Sequence, residues 1–78
     1  MVRILKVEAV EVEDCSYLVR FLEVRTPRGQ KRYSAEIVLG ADDHIILDDD
    51  SLLSLEARAR RLAPATIYSR MLARATAA

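Results

Sequence analysis

The sequence predicts an α+β fold: an antiparallel sheet of three or four strands in hairpin order, followed by one or two C-terminal helices packed on one face of it. Two observations carry this expectation. Through Val2–Leu47, β-branched and apolar residues alternate with polar ones between short turn-forming stretches. From Asp50 onward the spacing changes, and apolar residues recur every three or four positions.

The first strand is expected over Val2–Val12. Leu5, Val7 and Ala9 share one parity while Val10 and Val12 take the other, so a β-bulge or bend is expected near Ala9 and Val10. "EDCS" (13–16) reads as a turn, and "SYLVRFLEVR" (16–25) as the second strand. In "TPRGQ" a proline at the favoured second turn position and a glycine free to take positive φ predict a hairpin turn. The third strand, Lys31–Leu39, alternates most regularly. Tyr33, Ala35, Ile37 and Leu39 face one way, and Arg32, Ser34, Glu36 and Val38 the other. A turn at Gly40–Asp43 leads to a short fourth strand, "HIIL" (44–47).

The helical region is expected over residues 51–75. Leu52, Leu55, Ala59 and Leu62 lie on one narrow face, whereas Ile67, Tyr68, Met71, Leu72 and Ala75 gather roughly 170° away on a straight helix. Pro64 lacks an amide hydrogen and restricts Ala63 before it, so a break near Pro64 is expected, with two helices favoured over one. "ARRLAPATIYSRML" looks like the helix-turn-helix segments of bacterial DNA-binding domains. The match fails on its residues, since the turn glycine is missing and Glu56, Arg60 and Arg70 would occupy apolar positions.

The whole chain, residues 1–78, is expected to form a single domain near the lower size limit for independent folding. Chains this small often gain stability from a disulfide, a metal or a partner subunit. Cys15 is the sole cysteine, and no CxxC or HxxxH pair offers a zinc site, so no metal or other cofactor is expected and association is the remaining route. Twelve basic and twelve acidic side chains give zero formal charge, which argues against strong non-specific polyanion binding. No basic-then-apolar leader opens the sequence and no apolar run approaches membrane-spanning length, so a cytoplasmic protein is expected, with no membrane partner.

Chemistry is sought first in "DDHIILDDDSLL" (42–53), which carries five aspartates and the only histidine. Residues 44 and 48 would stand about 13 Å apart on an extended strand, too far to share an ion. The run also lacks the order of a calcium loop. Asp48, Asp49, Asp50 and Ser51 fit a helix start instead, with Asp50 or Ser51 as the cap. Cys15 and His44 make a poor nucleophile–base pair, because Glu13 and Asp14 beside the thiol disfavour its thiolate. No catalytic residue is assigned, and the protein is expected not to be an enzyme.

Both parities of the second strand are apolar. If the helical region covers the Tyr33, Ile37 and Leu39 face, then Leu18, Leu22, Val24 and Val38 need another cover. A second copy of the chain is the expected one, making a small interaction module that self-associates as a homodimer. The alternative is nucleic-acid binding through Arg20, Arg25, Arg28, Lys31 and Arg32 around the second hairpin, with Arg58 and Arg61 on the helical region. Tyr17, Phe21 and Tyr33 could then stack on bases if they were exposed.

Overall fold

The computed structural model describes residues 1–76; the last two positions of the expected 1–78 domain lie outside the described residues. Four strands, β1 (Val2–Val12), β2 (Cys15–Arg25), β3 (Lys31–Gly40) and β4 (Asp43–Asp49), form one antiparallel sheet in the order β1-β2-β3-β4. One helix, α1 (Leu52–Thr76), packs on that sheet and completes an α+β fold.

Three different turns set the register. Glu13 and Asp14 both hold positive φ, 51° and 64°, and close a two-residue hairpin between Val12 and Cys15. Cys15, expected within the turn, therefore opens β2. At the second hairpin the Gly29 N–H donates to Thr26 O and the Thr26 N–H to Gln30 O, both at 2.9 Å. Gly29 sits at φ +84° with open space where a Cβ would go, so backbone conformation alone calls for glycine there. The third hairpin pairs Gly40 with Asp43, with an irregularity between Val38 and Gly40.

The bulge of β1 lies between Ile4 and Lys6, not near Ala9 and Val10 as expected. After it, Val7 and Ala9 share the outer face with Arg20 and Leu18, while Lys6, Glu8, Val10 and Val12 point toward the helix. Lys6 and Glu8 blurred this parity because polar side chains are tolerated on the inner face of an edge strand. Lys6 lies 5.1 Å from the centre of the Phe21 ring and reaches Glu56 at 3.0 Å, and Arg60 reaches Glu8 at 3.6 Å.

The core is the expected face. Val19, Phe21, Ala35, Ile37 and Leu39 from the sheet close on Leu55, Ala59, Ala63 and Ile67 from α1. The expected break near Pro64 does not occur, and with it goes any helix-turn-helix division: α1 runs through without interruption. Two physical reasons account for this. Pro64 is exposed, so its ring and the Arg60 carbonyl it leaves unbonded face away from the core. The buried positions, spaced by four, also drift only about 40° per step, so the two faces judged opposite are ends of one stripe winding round the helix.

The helix runs back along β4. Arg58 bonds Asp49 at 3.1 Å, and twelve residues later Arg70 bonds Asp43 at 2.9 Å, joined there by Arg74 at 3.1 Å. Twelve helical residues rise about 18 Å and six strand residues about 20 Å, so the two elements keep step. Among the described residues no helix is long and apolar enough to cross a membrane.

Candidate functional site: the sheet face opposite the helix

Residues directly opposite in an antiparallel ladder share a face, so the register maps the side of the sheet that α1 leaves uncovered. Four rows cross it. Val2, Val24 and Arg32 form the first; Ile4, Leu22, Ser34 and Asp48 the second. Val7, Arg20, Glu36 and Ile46 form the third; Ala9, Leu18, Val38 and His44 the fourth. Within these rows the β1–β2 half is apolar apart from Arg20, and beyond them Glu11 pairs with Ser16 on the same face; the other polar side chains stand on β3 and β4 beside Val38 and Ile46. The apolar residues are open: Val2 is 62% exposed, Ile4 58%, Val7 48%, Leu18 49% and Ile46 61%.

The sequence-assigned contact residues all sit on this face. Leu18 pairs directly with Val38, and Leu22 and Val24 lie further along β2 beyond Arg20. Leu18 is exposed, while Leu22, Val24 and Val38 are half-buried by their neighbours. Sequence reasoning missed the contribution of β1 (Val2, Ile4, Val7 and Ala9) and that of Ile46. The signal was there: Val2 and Ile4 precede the bulge and Val7 and Ala9 follow it, and a one-residue slip carries both pairs to the same face.

A polar chain crosses the middle of the face. Glu36 accepts from Arg20 on β2, and its other oxygen meets His44 Nδ1 at 2.8 Å. His44 Nε2 reaches the Ala41 carbonyl at 3.3 Å. Both partners of the ring are acceptors, so both bonds together require the doubly protonated imidazolium. The hydrogen bond to Glu36, then that to Ala41, accordingly raises the His44 pKa. For Glu36, burial pushes upward, but hydrogen bonds from His44 and Arg20 outweigh it and hold the carboxyl below its ordinary value. Arg20 Nε is buried without a partner among the described residues.

The acidic run is distributed among structural partners. Asp48 accepts from the Ser34 hydroxyl at 2.5 Å, Asp43 takes Arg70 and Arg74, and Asp49 takes the Ser51 amide at 3.0 Å together with Arg58. Ser51 is the helix cap, its hydroxyl accepting from the Ser54 amide at 3.3 Å. Among the described residues no three His, Cys, Asp or Glu side chains gather as metal ligands do. Cys15 is exposed, and His44 is committed to Glu36 and Ala41.

The basic residues of the nucleic-acid alternative do not form one surface. Arg20 and Arg32 lie on the open face, Arg28 on the turn, and Arg25 and Lys31 pair with each other at the sheet end. Arg58 and Arg61 stand on the helix, on the other side of the sheet. Arg20 and Arg58 are engaged by Glu36 and Asp49. Arg25 and Lys31 lie 3.9 and 3.8 Å from Glu23, a nearly buried carboxylate that also takes Arg3 at 2.6 Å. Phe21 is buried and Tyr17 and Tyr33 pack against the core, so none of these rings forms an open stacking platform.

Comparison with family models, with curated proteins and with solved structures yields no match to this chain.

Proposed function

We propose that this protein is a small non-enzymatic interaction module that self-associates through the sheet face opposite α1, forming a homodimer in the cytoplasm. The observation that supports this reading most is the cluster of large apolar side chains, Val2, Ile4, Val7 and Leu18 with Ile46, left open on one face of the sheet. The four strands, 11, 11, 10 and 7 residues long and about 4.8 Å apart, present a face of roughly 600 Å². A stable interface buries about 600–1,000 Å² per partner, so the face reaches the lower end of that range. The exposed lone thiol of Cys15 suits a reducing compartment.

Molar mass by light scattering tests the reading. The expected result is twice the chain mass at micromolar concentration, little changed by salt, and reversion to monomer on Leu22→Lys. A monomer at high micromolar concentration removes the proposal. A dimer indifferent to Leu22→Lys removes this surface from it.

A second reading, nucleic-acid binding, draws support from Arg28 and Arg32, which have no ion-pair partner among the described residues and stand at the same end of the sheet as Arg25 and Lys31. Binding of a short duplex that weakens steeply with ionic strength would favour it.

A further inference from the structure

A buried carboxylate needs a cation, and Glu23 has more than one. It lies on the helix side of the sheet, at the end where β2 leads into β3, and is 8% exposed. Arg3, its cross-strand neighbour on β1, donates to one of its oxygens at 2.6 Å. The next row on the same side holds two further cations. Arg25 and Lys31 stand directly opposite each other, 3.9 and 3.8 Å from the other Glu23 oxygen.

Fold stability does not call for these two. Arg3 already bonds the carboxylate, and like charges directly opposite in a ladder oppose its pairing. The distances from Arg25 and Lys31 to Glu23 exceed hydrogen-bond length, and neither has a second ion-pair partner among the described residues. Their N–H donors are therefore free for another acceptor. Three cations around one carboxylate also leave a double positive charge at this end of the sheet.

A cavity of about 190 Å³ opens at the same place, lined by Met1, Arg3, Glu23 and Arg25. The Arg25 amide donates to the Met1 carbonyl at 3.0 Å and fixes one wall. The space admits a tetrahedral oxyanion with several waters, each water taking about 30 Å³. Glu23 repels an anion, so the residual charge, not the number of cations, sets the ligand. A phosphate monoester carries about −1.5 to −2 near neutral pH and matches it, whereas a carboxylate or a phosphodiester carries a single charge. The planar fork of arginine suits phosphate oxygens, and lysine serves as a point charge beside it.

We propose that this cavity binds a phosphate monoester, with Arg25 and Lys31 donating to its oxygens and Arg3, held by Glu23, flanking it. The site lies across the sheet from the self-association face and is independent of that reading. A small phosphorylated metabolite and the phosphorylated end of a nucleic acid offer the same group.

Amide NMR of the isotope-labelled full chain, titrated with inorganic phosphate at constant ionic strength, tests the site. Saturable shifts centred on Arg3, Glu23, Arg25 and Lys31 are expected. Affinity should fall about tenfold in Arg25→Gln and in Lys31→Gln, each of which removes a charge-assisted donor. It should be unchanged in Arg61→Gln, which removes an exposed cation on α1. The two site side chains are half exposed, so both variants should keep the wild-type spectrum away from the hairpin. Shifts that never saturate, or an affinity indifferent to Arg25→Gln and Lys31→Gln, overturn the proposal. Adenosine monophosphate and a short oligonucleotide with or without a terminal phosphate separate the sources. Tighter binding of the mononucleotide assigns a metabolite, and tighter binding of the phosphorylated strand a nucleic-acid end. Equal binding of the two strands overturns the monoester, because internal phosphates then suffice.

Discussion

Arg20 and Glu36 stand opposite each other across β2 and β3, in the middle of the sheet face that the helix leaves uncovered. Glu36 is held from its other oxygen by His44, so one carboxylate joins three strands. Its pH dependence follows from the two shifts. The raised His44 pKa gives stability that is full below the ordinary value of 6.5 and is lost as pH rises through the folded-state value. The lowered Glu36 pKa gives stability that is full above 4.5 and is lost as pH falls through its folded-state value. Both contributions are therefore complete between pH 4.5 and 6.5. Thermal melts of the wild type and of His44→Ala should differ most in that window and converge above it. A gap that stays constant from pH 5 to 9 would show that the imidazolium bond adds nothing.

The first hairpin carries a correctable strain. Glu13 and Asp14 both adopt positive φ, a conformation that Asn-Gly fits and side chains such as glutamate resist. Replacing the pair with Asn-Gly should stabilise the protein by about 1 kcal/mol without altering the register. Urea denaturation reads this as a higher midpoint at unchanged slope. A lower midpoint would mean that the two carboxylates contribute something beyond the turn.

At the start of α1, the Ser51 hydroxyl accepts from the Ser54 amide and the Asp49 carboxylate from the Ser51 amide. Ser51→Ala should cost about 1 kcal/mol, the usual worth of such a cap. Hydrogen bonds from the Ser54 hydroxyl and the Ser51 amide, aided by Arg58, hold the Asp49 carboxyl well below the usual carboxylate range. Asp49 thus contributes stability above its ordinary value of 3.8 that is lost as pH falls through its lowered value. In Asp49→Asn the acid limb of the stability–pH curve should flatten; an unchanged limb would assign that stability elsewhere.

Strands with one covered face were legible in the sequence. In β3 every second residue from Ala35 to Leu39 is buried, and the alternation could be read directly. On β1 the pattern failed, because Lys6 and Glu8 occupy inward positions at the sheet edge, where Glu56 and Arg60 reach them. Glu23 had no sequence signal as a buried charge, since its partners Arg3 and Lys31 come from other strands. Of the candidate site, the β2 and β3 residues were legible from the two-sided apolar pattern. The β1 residues needed the position of the bulge. The polar chain through Glu36 needed the pairing of β3 with β4, which places His44 beside Val38 and within reach.

Pro64 offers the clearest test of how the helix is held. It sits inside α1, where it removes one hydrogen bond to the Arg60 carbonyl, yet Ala59, Ala63 and Ile67 around it are at most 3% exposed. Tertiary packing of that stripe therefore outweighs an interior proline, which generally costs a helix about 3 kcal/mol relative to alanine. Pro64→Ala restores the bond, and part of the gain is offset because the unfolded chain becomes freer by roughly 0.4–1 kcal/mol. A net stabilisation of about 2 kcal/mol is expected in urea denaturation, with the helix spanning the same residues by amide exchange. A loss of stability would show instead that α1 needs a bend at this point to keep Leu55 and Ile67 on the sheet together, and that the proline provides it.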